Sequence, residues 1–75
     1  MIVITGASDG LGKELARVYK EAGKTVVNVS RNQCEFAEHN LLHDLTVTSE
    51  VAQAVQEISA LAEPLDAVVN CAAIM

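Results

Sequence analysis

Residues 1–12 read MIVITGASDGLG, and three glycines at positions 6, 10 and 12, directly behind an apolar run, decide the fold. Ile2-Val3-Ile4 is continuously apolar, the pattern of a strand buried on both faces of a parallel sheet. From Gly10 the period changes. Leu11, Leu15, Val18, Tyr19 and Ala22 recur at helical spacing, while Lys13, Glu14, Arg17, Lys20 and Glu21 take the other face. A strand, a glycine-rich turn and a helix N-terminus in succession form the arrangement that holds a pyrophosphate. The first helical N–H groups have no intrahelical partner and carry a partial positive charge. In such a turn Gly6 bends the chain sharply out of the strand, Gly10 lets the backbone approach phosphates, and Gly12 brings the helix close to the sheet. The same pattern also fits a tight strand–helix turn that holds no ligand.

Working outward, Gly23 is placed to cap the first helix, and Thr25–Val29 reads as a second, β-branched strand ending at Ser30-Arg31. Residues 31–39 form a polar, irregular connection, followed by a weaker strand at Asn40–His43 and a turn at Asp44. Thr48 is positioned to cap a second helix over 49–62, with Val51, Ala54, Val55, Ile58 and Leu61 on one stripe. Glu63-Pro64 stops it, and Leu65–Cys71 reads as a fourth strand. The order β-α-β-loop-β-α-β predicts an α/β fold with a parallel sheet and right-handed crossovers. There is no internal repeat and no low-complexity tract.

Composition narrows the function. The chain has 75 residues, 51% hydrophobic and 20% charged, which argues for a packed core over disorder. With one Phe and one Tyr, that core is aliphatic. A formal charge of −5 argues against a nucleic-acid partner. No apolar run approaches the roughly 20 residues that span a bilayer, and no signal peptide precedes the first strand, so no membrane partner is expected. Cys34 and Cys71 have neither metal-ligand nor disulfide-framework spacing, so a reduced, cytoplasmic setting is expected. His39 and His43 lie four apart in a loop-to-strand region with no third ligand, so no metal site is expected.

The spacing from Thr5 to Gly12 is T-G-x-x-x-G-x-G. Three landmarks follow in order: Arg31 just after the second strand, Asp44 in "HDLT" after the third, and "NCAA" at 70–73 ending the fourth. On these residues the whole chain resembles the N-terminal part of the short-chain dehydrogenase/reductase family. It departs from the family's N-N-A-G motif at Cys71 and Ala73. The resemblance implies a partial Rossmann fold with strand order 3-2-1-4 and helices on both faces, residues 1–75 forming a dinucleotide-binding segment. It implies a cofactor site made by Gly6, Ala7, Ser8, Asp9, Gly10, Leu11 and Gly12 with Arg31, Asp44, Leu45, Asn70 and Ala72. Arg31 can fork onto a ribose 2′-phosphate, which favours NADP over NAD. Asp44 is either an acceptor for the adenine amino group or an Asx-turn residue, and Asn70 either meets the adenosine ribose or bonds between strands. Asp9 either faces the phosphates or points to solvent from the helix N-terminus.

The family's catalytic Ser, Tyr and Lys lie beyond the fourth strand. Tyr19 is followed by lysines at 20 and 24, the wrong spacing for Y-x-x-x-K, and sits on the apolar stripe. No catalytic residue is therefore assigned, and the chain alone is expected to be inactive, as a segment truncated before the catalytic region. The other readings are a stand-alone, non-catalytic nucleotide-binding protein and a purely structural dimer. An apolar fourth strand at the sheet edge further implies a homodimer through that strand.

Overall fold

Four short strands carry the apolar runs: β1 (Ile2–Thr5), β2 (Val26–Ser30), β3 (His39–Leu42) and β4 (Ala67–Asn70). They pair in parallel in the order β3-β2-β1-β4, with Val3 opposite Val27 on one side and Val68 on the other. The computed structural model describes residues 1–71, so Ala72 and Ala73 of the "NCAA" motif lie outside the described residues. Alternation along the strands feeds two separate cores, one on each face. Ile2, Ile4 and Val26 pack with Ala16 of helix α1 (Gly10–Glu21). Met1, Val3, Val27 and Val29 pack with Ala54 of helix α2 (Thr48–Ala60).

The phase of α1 differs from the predicted stripe. Gly12 and Ala16 are its buried residues, with Leu15 and Tyr19 packed beside them, whereas Leu11 is 71% exposed and Val18 is also exposed. The helix is rotated so that its smallest residues face the strands. Tight helix–sheet contact at Gly12 and Ala16 outweighs burial of the bulkier Leu11 and Val18. At its end the Gly23 N–H donates to the Lys20 carbonyl and the Lys24 N–H to the Tyr19 carbonyl, a Schellman cap with Gly23 at φ 81°.

α2 also departs from its expected pattern. Val47 holds the N-cap position and Thr48 is the first helical residue, so the start has no side-chain cap. Ala54 is buried, Ile58 and Leu61 are partly buried, and Val51 and Val55 are exposed. The connection 31–38 contains no helix, and it is less polar in effect than its sequence suggests. Cys34 is buried, and Phe36 and Ala37 pack on the α1-side core in place of a crossover helix.

Gly12 is the tightest point between helix and strand end. A Cβ there would collide with the Gly6 carbonyl. Gly12→Ala is therefore expected to lower stability by about 2–3 kcal/mol or to prevent folding, the cost of forced overpacking. Urea unfolding followed by circular dichroism measures it, and an unchanged midpoint would contradict the close approach.

Candidate functional site

The carboxyl ends of all four strands open onto one cleft of about 330 Å³. β1 delivers Gly6, Ser8 and Asp9, β2 delivers Ser30, Arg31 and Asn32, β3 delivers His43, Asp44 and Leu45, and β4 delivers Cys71. β1 lies between β2 and β4, with α1 and α2 on opposite faces. The cleft therefore sits at the topological switch point of the sheet, where open α/β folds bind ligands. The first intrahelical bond of α1 runs from the Lys13 N–H to the Asp9 carbonyl at 3.2 Å. The N–H groups of Gly10, Leu11 and Gly12 precede it and make the positive end of the helix. Asp9 is the N-cap, exposed, and its carboxylate makes no capping bond. Gly10 has φ 56°, and a Cβ there would meet nothing within 4 Å, so the space above the turn is open.

The turn is held by a residue that reads as a strand interruption. Asn28 is fully buried in β2, level with Ile4 of β1 and Asn40 of β3. Its Oδ1 accepts the Ala7 N–H at 3.1 Å, and its Nδ2 donates to the Asn32 carbonyl at 2.8 Å and to Asn40 Oδ1 at 3.0 Å. Asn40 Oδ1 also accepts the Cys34 N–H at 2.8 Å. One amide thus ties the glycine turn, the loop after β2 and β3 together, and each of its polar atoms is satisfied. That is the condition for burying an amide at little cost.

At the third strand end Asp44 Oδ1 accepts from both the backbone N–H and the hydroxyl of Thr46, at 2.9 and 2.6 Å. These bonds hold its carboxyl below the usual carboxylate range, and the nearby Arg31 guanidinium adds to the effect. The Asx-turn geometry is therefore present, and it engages one of the two carboxylate oxygens. His43 Nε2 lies 2.6 Å from Glu57 Oε1, and its Nδ1 lies 3.4 Å from Glu50 Oε1. The contact with Glu57, reinforced by Glu50 and opposed by partial burial, raises the imidazole above its ordinary value. At the fourth strand end Asn70 Oδ1 accepts from Thr5 Oγ1 at 2.6 Å, a bond between strands.

Of the residues expected at a cofactor site, Gly6, Ser8, Asp9, Arg31, Asp44 and Leu45 line the cleft. Ala7 is buried beneath it on Asn28, and Gly10, Leu11 and Gly12 form the first turn of α1 beside it. Asn70 is turned toward Thr5, and Ala72 lies outside the described residues. Asn28 and His43 were not anticipated. An Asn at the same register in two adjacent strands is the signal that marks the first, since a single Asn in a strand usually reads as a turn former.

A family profile described as short chain dehydrogenase matches residues 1–75. The chain is 35% identical to coniferyl-alcohol dehydrogenase of a Pseudomonas strain, over 80% of this chain and 26% of that protein. It is 34% identical to the uncharacterized oxidoreductase YciK of Escherichia coli, over 100% of this chain and 36% of that protein. Among solved structures, a 4-hydroxyisoleucine dehydrogenase complexed with NADH and succinate superposes with a TM-score of 0.84 at 20% identity, covering 99% of this chain and 35% of that one. A short chain dehydrogenase from Bacillus anthracis gives 0.80 at 25% identity, covering 96% and 34%. The chain belongs to the short-chain dehydrogenase/reductase family. It spans about a third of the length of the relatives it matches.

Asn28→Ala leaves the Ala7 N–H, the Asn32 carbonyl and Asn40 Oδ1 without their buried partner. The expected loss is about 2–4 kcal/mol, the cost of orphaning several buried polar groups in one network. Chemical denaturation measures it, and a loss below about 1 kcal/mol, one ordinary hydrogen bond, would rule out the organising role.

Proposed function

We propose that residues 1–75 form the adenosine-pyrophosphate half of an NADP(H) site in a short-chain dehydrogenase/reductase-type oxidoreductase. The reading rests on one juxtaposition: the open glycine turn and α1 N-terminus share a cleft with Arg31 and Asp44 at the sheet's switch point. The glycine turn and the first N–H groups of α1 would receive the pyrophosphate. Arg31 would take the 2′-phosphate. Asp44 and Leu45 would meet the adenine, through the second carboxylate oxygen and the apolar side chain, and Asn70 would border the ribose. No acidic side chain stands at 30–33, where an NAD-preferring site would place an acceptor for the 2′-hydroxyl.

A dinucleotide bound here would supply hydride-transfer chemistry, and the residues of this segment would hold and orient its adenosine end. Residues 1–75 carry no Y-x-x-x-K spacing, so no acid/base role toward a carbonyl or alcohol substrate is assigned to any of them. Arg31→Ala is expected to weaken NADP binding about tenfold to a hundredfold, the worth of a charge-assisted contact, and to leave NAD binding unchanged. Isothermal calorimetry decides it. Equal affinity of the parent for NAD and NADP would overturn the 2′-phosphate assignment.

For the 75-residue chain by itself, we further propose a homodimer through β4. Among the described residues β4 pairs only with β1, and Val68 and Leu65 are exposed beside Val51 and Val55 of α2. Antiparallel pairing of two β4 edges about a two-fold axis would extend the sheet to 3-2-1-4-4′-1′-2′-3′. The Cys71 N–H donates to the Thr5 carbonyl, so by alternation the Val69 N–H faces β1 and the Val68 N–H faces the open edge. Val68→Pro should therefore leave the monomer's ladder intact and abolish the dimer. Sedimentation velocity tests this, and a folded monomer in the parent at low micromolar concentration would refute it.

A further inference from the structure

His43 stands at the carboxyl end of β3 with its side chain 11% exposed, held between two carboxylates of α2. Nε2 meets Glu57 Oε1 at 2.6 Å and Nδ1 meets Glu50 Oε1 at 3.4 Å. The same Glu50 oxygen accepts the Asp44 N–H at 3.1 Å. Glu50 is thus shared between His43 and the backbone of the residue that faces the cleft. The His43 backbone N–H donates to the Ser30 carbonyl at 2.9 Å, next to Arg31.

A neutral imidazole has one N–H and one lone pair, whereas an imidazolium donates from both nitrogens. With the single N–H on Nε2, at the shorter contact, a neutral His43 turns the Nδ1 lone pair toward the Glu50 carboxylate. Only the cation satisfies both acids at once. The other charged groups that line the cleft at this corner are Asp44 and Arg31.

We propose that His43 is a positioning residue for the nucleotide site: as imidazolium it clamps Glu50 on the Asp44 N–H and Glu57 on the end of β3, so dinucleotide affinity follows its protonation. The inference rests on the nucleotide reading above. The folded chain raises the midpoint of His43, so the clamp is complete below the ordinary imidazole value and is lost as pH rises through the raised one. Binding and protonation are then linked, and the ligand must raise the midpoint further.

The test uses the full chain and NAD, because the 2′-phosphate of NADP itself ionises near pH 6. Calorimetry from about pH 6 to about pH 9 brackets the imidazole titration. The parent's affinity is expected to fall about threefold to tenfold over that range, the worth of one hydrogen bond, and His43→Gln to flatten the profile. In the parent, the imidazole resonances of His43 should titrate at higher pH with NAD bound than without it. An unchanged pH slope in His43→Gln overturns the proposal. So does a His43 midpoint that NAD does not move, a readout that holds even where the variant fails to fold. NAD binding with a flat profile in the parent overturns this inference alone, whereas no binding of NAD or NADP at any pH overturns the nucleotide reading together with it.

Discussion

A single buried amide organises this molecule. The Asn28 side chain is fully buried, where an unpaired amide would cost several times what one hydrogen bond contributes. That cost is avoided only if Ala7, Asn32 and Asn40 are all brought to it. The requirement acts in both directions, because the three partners belong to the glycine turn, the loop after β2 and β3. The turn cannot shift relative to the loop that carries Arg31 without breaking a buried bond. A cleft formed by segments far apart in the chain therefore has a rigid common anchor beneath it, inside the sheet rather than on its rim.

The two faces of the sheet are covered unequally, and the difference follows from residue size. α1 approaches through Gly12 and Ala16, close enough to seal its core, and the loop adds Cys34, Phe36 and Ala37 over the far strands. α2 contributes Ala54 and, less deeply, Ile58 and Leu61, while Val51 and Val55 stay in solvent beside Val68. An apolar groove between α2 and β4 results, lined by Val3, Val51, Val55, Leu65 and Val68. The cleft at the carboxyl end of the sheet adjoins this groove and shares Val29 and Leu45 with it, so both faces of the sheet shape it.

Much of this was legible in the residues. The switch from an apolar run to helical spacing at Gly10 locates the β1–α1 boundary, and the alternation of strands and helices leads to the order β3-β2-β1-β4. Of the residues expected at a cofactor site, Gly6, Ser8, Asp9, Arg31, Asp44 and Leu45 line one cleft. The phase of α1 was not legible, because hydrophobicity points to Leu11 and Val18 whereas close approach selects Gly12 and Ala16. The roles of Asn28 and His43 were also hidden. Each depends on what lies opposite in space: Asn40 across a parallel pair for one, two glutamates of α2 about two helical turns apart for the other. Composition and spacing record a residue's own preferences, and these two act through partners.

The electrostatics of the cleft follow from the same arrangement. A phosphate here would meet two carboxylates, Asp9 and Asp44, one guanidinium, Arg31, and His43, whose charge Glu50 and Glu57 offset, in a chain of net charge −5. Side-chain charge alone would repel it. Asp44 is already engaged by two donors from Thr46 and lies near Arg31, so part of its field is compensated within the protein. Asp9 is exposed to water, which screens it. What remains directed at the open space above Gly10 is the positive end of α1, and its contribution does not depend on any lysine or arginine. In the proposed nucleotide site, backbone dipoles held in place by a buried amide would supply the attraction that this acidic chain does not draw from its side chains. For that reason the close approach of Gly12 to the Gly6 carbonyl matters to the proposed site alongside its charged residues.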